Sequence, residues 1–571
     1  MKRKIVTTGI VLVVVALLFA GCGQRRAPAG GGLGLAHDDP NINLSGTMPI
    51  VRDPSTFPRM TMAVVIPPER IIPTGELAMI QKLKEITGVE FDWMEIPDAG
   101  SSERINLMLA SGTSLPDAFW NGIGPVTVAQ YMDQDIFLPT EGLMERYMPR
   151  LRAIFEKYPE YRASWVAPNG HSYGFPYIEE MRGLVLTPGP FLINTVWLER
   201  VGMSMPTTVD EFVAVLRAFR DAGDLNGNGI ADEIPYALDF TATDWFGSYN
   251  TFHQFTGAFG MADSYSQGNY TADHMRIIGG RVVFTAMDTA YRETARFFNM
   301  LRNENLLDVD SFTPGPGGTP LFRNKIAGSV ATIGVLGLWA PANEIPDHTV
   351  RAQYQAIPRM RGSGGLTGFA LNFSEMQDTS MVAITADARV PEVIAAYVDY
   401  CFEPEISITL NWGAEGWIYQ RAPNGRLVFR LDENNQIMTF PPFLTFHDLR
   451  SNSTPARGAM AVLNEYYDTI VDYTWDAVDL LEGQIAGGKY DILAEYTTIP
   501  RMIMTSEEQN IISRIQPPIK DIVRRYTIQW VLDGNIDATW NNYLSELRAA
   551  GVDELVRTWQ GAYDRFLRAR S

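Results

Sequence analysis

The sequence predicts an α/β protein built as two or three lobes, and three observations carry this. The chain has 571 residues, more than one hydrophobic core accommodates. Strand-like and helix-like runs alternate from residue 62 onward, the order that builds sheets covered by helices. Two apolar runs, Gly183-Leu184-Val185-Leu186 and Phe191-Leu192-Ile193, surround Pro188-Gly189-Pro190. That pattern suits a strand passing from one lobe to the next.

The N-terminus comes first. Lys2, Arg3 and Lys4 precede an apolar run from Ile5 to Phe19 that is short for a transmembrane helix. Leu18-Phe19-Ala20-Gly21-Cys22 resembles the bacterial lipobox, whose Cys is lipidated and becomes the new N-terminus. An ordinary signal peptide cut near Gly21 is the alternative. The chain has two cysteines. With Cys22 carrying lipid, Cys401 has no disulfide partner, and its apolar neighbours mark it as a small buried hydrophobe. Residues 23–58 are rich in Gly, Ala, Pro, Asn and Asp and read as a flexible tether.

The folded part begins with a strand at 62–66. A helix over 75–87 stops at Gly88, a strand alternates over 89–93, and a helix over 103–111 is closed by Gly112. Asp117-Ala118-Phe119-Trp120 is a short strand. Trp120 and Asn121 stand at its carboxyl end, where ligands bind in open α/β sheets. Thr208 and Glu211 form a capping box for a helix that runs to about residue 222. A strand follows at 236–240. A helix spans 289–305, residues 383–386 look like a return crossing, and Pro391 opens another helix. Residues 416–440 form a hairpin around Pro423-Asn424-Gly425. From Ser506 the pattern is helical, with stops at Gly534 and Gly551.

Between the capped helix and its strand lies Asp224-Leu225-Asn226-Gly227-Asn228-Gly229-Ile230-Ala231-Asp232-Glu233-Ile234-Pro235. Oxygen-bearing side chains at positions 1, 3, 5 and 9, with Gly at 6, are the start of an EF-hand-type calcium loop. Position 12 is Pro235, so Asp232 and Glu233 supply the closing carboxylates. The expected ligands to Ca²⁺ are the side chains of Asp224, Asn226, Asn228, Asp232 and Glu233 and the carbonyl of Ile230. Because the loop only links a helix to a strand, the ion is expected to be structural.

Composition narrows the partners. A formal net charge of −19 argues against nucleic acid and a broad anionic membrane surface. The six His residues show no metal-like cluster, and neither a His-Glu-x-x-His motif nor a Gly-x-Ser-x-Gly elbow occurs.

Residues 106–112 (Asn-Leu-Met-Leu-Ala-Ser-Gly) followed by Leu115-Pro116-Asp117-Ala118-Phe119 resemble the family 1 extracellular solute-binding lipoproteins, the sugar-binding components of ABC importers. Residues 169–176, 193–198, 206–212 and 411–417 and the tail from Trp540 to Arg565 extend the resemblance over about residues 60 to 571. The calcium loop is similar to that of the alginate-oligosaccharide-binding branch. The resemblance implies a two-lobed periplasmic-binding-protein fold, type II-like, with an interlobe cleft and a hinge. On that frame the parts are a signal peptide (1–21), a tether (22–58), lobe 1 (59–185 plus about 384–415), lobe 2 with the calcium loop (186–383), and a hairpin insert with C-terminal helices packing on the lobes (416–571).

The implied function is lipid-anchored capture of an oligosaccharide outside the cell and delivery to ABC permease subunits, with no catalysis. A monomer is expected, touching the membrane only through its lipid. Sugars need aromatic faces and planar polar groups. Trp245 and Trp339 are chosen as ligand-binding because each follows a strand end, as do Trp120 and Asn121; Trp412, Glu415 and Trp417 are chosen on the resemblance. An acidic sugar would need cationic groups, for which Arg281, Arg323, Arg359 and Arg361 are available. The rival reading is a secreted calcium-containing polysaccharide lyase or glycoside hydrolase. A dockerin-type module fits less well, since such modules are short and carry the loop twice.

Overall fold

The structure, a computed structural model, describes residues 39–180, 191–238, 252–263, 273–312, 330–337, 345, 347–362, 374–433, 437–455, 457–472 and 499–570. Two sheets organise it. The first has six strands in the order Met460–Val462, Phe175–Glu179, Met376–Ile384, Ala118–Phe119, Met60–Ile66, Phe91–Pro97. Met60–Ile66 runs parallel to both Phe91–Pro97 and Ala118–Phe119. Met376–Ile384 is antiparallel to both of its neighbours. The second sheet has the order Tyr354–Ala356, Leu192–Asn194, Ile333–Leu336, Ile234–Ala237, and its last two strands are parallel.

Alternation along the Met60–Ile66 strand separates two cores, as a period of two requires. Met60, Met62 and Val64 enter the main core of lobe 1, while Ala63 joins Phe119, Ile105 and Val128 beneath the opposite face. Lobe 2 has its own core, with Phe212, Phe219, Tyr236 and Phe298 at its heart. Helices end where glycine makes a left-handed turn cheap: Gly88 (φ 69°) and Gly534 (φ 69°) both close helices this way.

The chain passes between the lobes more than once. It leaves lobe 1 after Phe175–Glu179 and enters lobe 2 at Leu192–Asn194; residues 181–190 lie outside the described residues. It is back in lobe 1 by Met376. Residues 383–386, read from sequence as the return crossing, lie instead at the far end of a strand paired to Ala118–Phe119, with Thr385 bridged to Phe137. The third passage is at residues 499–504, where Ile503 packs in lobe 1 and Ile499, Met502 and Met504 pack in lobe 2. Beyond it the helices Ser506–Asp533, Ile536–Ala549 and Val552–Arg570 bury Trp530, Tyr543 and Trp559 in the lobe 2 core. The hairpin Tyr419–Arg421 with Leu427–Phe429 stays with lobe 1.

Candidate functional site

Parallel strands fix where a ligand can sit. In the lobe 2 sheet, Ile234–Ala237 and Ile333–Leu336 end side by side, and the Gly337 N–H donates to the Ala237 carbonyl at 3.2 Å. The sequence then continues from each end toward Trp245 and Trp339. Both tryptophans lie outside the described residues.

In lobe 1 the corresponding edge collects polar groups. Met60–Ile66, Ala118–Phe119 and Phe175–Glu179 all end there, and the antiparallel strand Met376–Ile384 begins there. Asp378 is flanked by register irregularities on both sides, the device that re-aims a side chain near a site. It lies against Gly124, where an added Cβ would be 3.4 Å from Asp378 Oδ2. Its Oδ1 accepts from the Ser380 N–H at 2.7 Å. Burial pushes its carboxyl up to about 6, and the positive charges of Arg501 and Arg457 pull the other way. Arg457 has a left-handed backbone (φ 60°), and its carbonyl accepts the Trp120 indole N–H at 2.7 Å. Asp378, Arg457 and Arg501 were not legible in the sequence, because nothing in their spacing joins them.

Beside them is a buried acid network. Glu179 accepts from Tyr467 Oη at 2.8 Å, from Tyr177 Oη at 2.9 Å and from the Asn411 amide. Burial raises its carboxyl to about 8. Glu180 accepts from Tyr161 Oη at 2.8 Å and from the Asn464 N–H at 2.7 Å. Glu375 is pushed up to about 7, first by burial and then by the charge of Glu180. These carboxyls sit at the lobe 1 ends of the first and second passages.

The Asp224–Glu233 loop lies where the sequence puts it. Helix Val209–Asp221 carries the Thr208/Glu211 capping box at its start and leads into the loop, and Ile234–Ala237 follows it. Asp224 Oδ1 accepts the N–H groups of Gly227 and Asn228, and its Oδ2 accepts that of Gly229. Gly227 (φ 80°) and Gly229 (φ 84°) take the positive φ that this coil requires. The amides of Asn226 and Asn228 each meet Asp232 Oδ1 at 3.3 Å, so positions 3, 5 and 9 converge. Glu233 Oε1 accepts from the N–H groups of Leu225 and Asn226, while its Oε2 is buried with no hydrogen-bond partner. An unsatisfied buried carboxylate oxygen is costly unless a cation meets it. The all-oxygen donor set fits calcium.

The remaining sequence-chosen residues are placed as follows. Trp120 is 0% exposed, packed against Trp93 and Tyr397 and roofed by Gly458, where a Cβ would come within 2.4 Å of the indole. This takes Trp120 out of the ligand-facing set in this structure: the strand end is right, but the side chain points to the core. Asn121 spends its amide on the sheet, accepting from the Val65 N–H at 2.6 Å and donating to the Val65 carbonyl at 3.2 Å. Trp412, half-buried, donates from its indole to Tyr467 Oη at 2.7 Å. Trp417, also half-buried, packs on Phe440 and Phe443. Glu415 is exposed and paired to Arg421 at 2.7 Å. Cys401 is buried and free, and burial raises its thiol above the usual range. Cys22 lies outside the described residues, among which no helix is long and apolar enough to cross a membrane. The fold does bring two histidines together: His253 and His274 meet at Asp263. Their distance from one another in sequence hid that cluster.

Two α/β lobes joined by repeated passages, with polar groups gathered at strand ends, define a two-lobed ligand-capturing protein. The sequence profile of the bacterial extracellular solute-binding protein family matches residues 73–406, and the chain belongs to that family. It is 29% identical over 580 residues to the fructooligosaccharide ABC transporter substrate-binding protein FusA of Streptococcus pneumoniae, covering 99% of each chain. The structure of S. pneumoniae FusA in complex with kestose superposes with a TM-score of 0.71 at 27% identity, over 90% of this chain and 100% of that one. A FusA EF-hand mutant in complex with fructo-nystose gives 0.72 at 27% identity, over the same shares of the chains. The alginate-binding protein AlgQ2 shares the fold, with a TM-score of 0.65 at 20% identity over 90% of this chain and 99% of that one.

Proposed function

We propose that the protein captures a short neutral oligosaccharide in the cleft between its lobes and delivers it, unaltered, to an ABC permease. The observation that carries this reading is the paired strand ends at Ala237 and Gly337, from which the chain leads to Trp245 and Trp339. Tryptophans that follow neighbouring strand ends in the sequence suit the C–H faces of sugars. Asp378, with Arg457 and Arg501 beside it, supplies lobe 1 with groups for sugar hydroxyls. The likeness to FusA supports a fructooligosaccharide as the first ligand to try. Closure of one lobe on the other provides affinity, and the protein carries out no bond chemistry.

We further assign calcium to the Asp224–Glu233 loop as a structural ion, held by Asp224, Asn226, Asn228, Asp232, Glu233 and the Ile230 carbonyl. The partnerless Glu233 Oε2 and the EF-hand of FusA support this. Lipidation at Cys22 would keep a monomeric body near its permease.

A thermal-shift panel of neutral and acidic oligosaccharides tests the function. Stabilisation by neutral fructose-containing oligosaccharides, with each sugar returned intact, supports the reading. Stabilisation by uronates alone, or cleavage of any sugar, overturns it.

A further inference from the structure

The core of lobe 2 holds a second group of side chains of metal-binding type, separate from the Asp224–Glu233 loop. His253 lies on the short helix Phe252–Thr256, Asp263 follows the turn after it, and His274 precedes the strand Met275–Ile278. His253 Nδ1 is 2.7 Å from Asp263 Oδ2, and His274 Nδ1 is 3.0 Å from the same oxygen. The relevant atoms of the three residues all lie within 4.8 Å of one another. Thr285 adds a hydroxyl on Asp263 Oδ1. All three side chains are buried, at 8%, 1% and 5% exposure for His253, Asp263 and His274.

We infer that this cluster is a binding site for a zinc-class divalent cation. Imidazole nitrogens suit zinc and its neighbours, whereas calcium takes oxygens, so the two sites of this lobe select different ions. Two histidines and a carboxylate supply three protein ligands of a four-coordinate site, with the fourth position left to water, while Thr285 orients Asp263 through its hydrogen bond. Tetrahedral zinc separates its ligand atoms by about 3.3 Å, so the His253–Asp263 and His274–Asp263 spacings of 2.7 and 3.0 Å open by about half an ångström or less on binding. The proton balance is simple. Neutral imidazoles that donate from Nδ1 to Asp263 move that proton to Nε2 and present a lone pair at Nδ1 instead. The cation would fasten the Phe252–Asp263 segment to the strands Met275–Ile278 and Arg281–Phe284. The simpler occupant of the cluster is a set of hydrogen bonds with no ion, and the test separates the two.

The experiment is elemental analysis of the full chain, produced in zinc-supplemented medium without a metal-affinity step and dialysed against excess calcium. About one zinc per chain is expected, retained in Asp224→Ala and lost in His253→Gln and in His274→Gln. Zinc absent from the wild-type chain, or equal zinc in the wild type and both histidine variants, overturns the inference. Because a core variant can misfold, zinc-edge X-ray absorption on the wild-type protein gives an independent reading. Two imidazole nitrogens in the ligand shell are required, and a shell of oxygens alone refutes the site.

Discussion

Ala237 and Gly337 are joined by a backbone hydrogen bond of 3.2 Å that ties the ends of two parallel strands together. With the pairing of Ile234–Ala237 to Ile333–Leu336, this bond holds side by side the ends that precede Trp245 and Trp339 in the sequence. Replacing either tryptophan by Ala should lower oligosaccharide affinity about tenfold or more, which corresponds to about 1.4 kcal/mol. Calorimetric titration of the two variants checks this. Unchanged affinity in both would place the sugar elsewhere.

Asp378 gives the matching test on lobe 1. It is half-buried and lies against Gly124. Asp378→Asn should reduce sugar affinity by roughly tenfold, the scale of one charged hydrogen bond, while leaving the melting temperature nearly unchanged or slightly raised. A variant that binds as well as the wild type would remove Asp378 from the site.

The calcium proposed for the Asp224–Glu233 loop predicts a separation of stability from binding. Chelation should lower the melting temperature by about 5 °C, given roughly 2.7 kcal/mol from an ion at a hundred times its dissociation constant. Sugar affinity should change little. Glu233→Gln should reproduce the destabilisation without chelator, since the charge of Glu233 is needed at the orphaned Oε2. If chelation instead abolishes binding at constant melting temperature, the ion touches the ligand.

Glu179 sets a pH dependence of known sign. Its folded-state value of about 8 lies above the ordinary 4.5, because burial disfavours the carboxylate. Between these two values the native chain binds more protons than the unfolded one, so stability falls as pH rises through the window. Glu375, at about 7, and Asp378, at about 6, act in the same direction over lower windows. Glu179→Gln should flatten the profile and be more stable than the wild type above pH 8, as read from denaturant midpoints at several pH values.

Local chemistry was legible in the sequence, and long-range geometry was less so. The capping box at Thr208 and Glu211, the loop after its helix and the strand into Tyr236 all follow from residue types at fixed short spacings. The stops at Gly88 and Gly534 did too, because a positive φ at a helix end selects glycine. Trp120 shows the limit. Its place at a strand end could be read, but the face its indole takes depends on Tyr397 and Gly458, hundreds of residues away. The C-terminal helices were visible as helices; that they complete the lobe 2 core through Trp530 and Trp559 was not. His253, Asp263 and His274 carry no spacing signal, since they come from a short helix, the segment after it and the approach to a strand.

The central claim is capture without chemistry, and calorimetric titration of the full calcium-loaded chain with kestose tests it most directly. The account predicts saturable binding to one site per chain, with kestose recovered unchanged by chromatography. Hydrolysis products in the recovered sugar, or a steady heat of turnover after saturation, would contradict it.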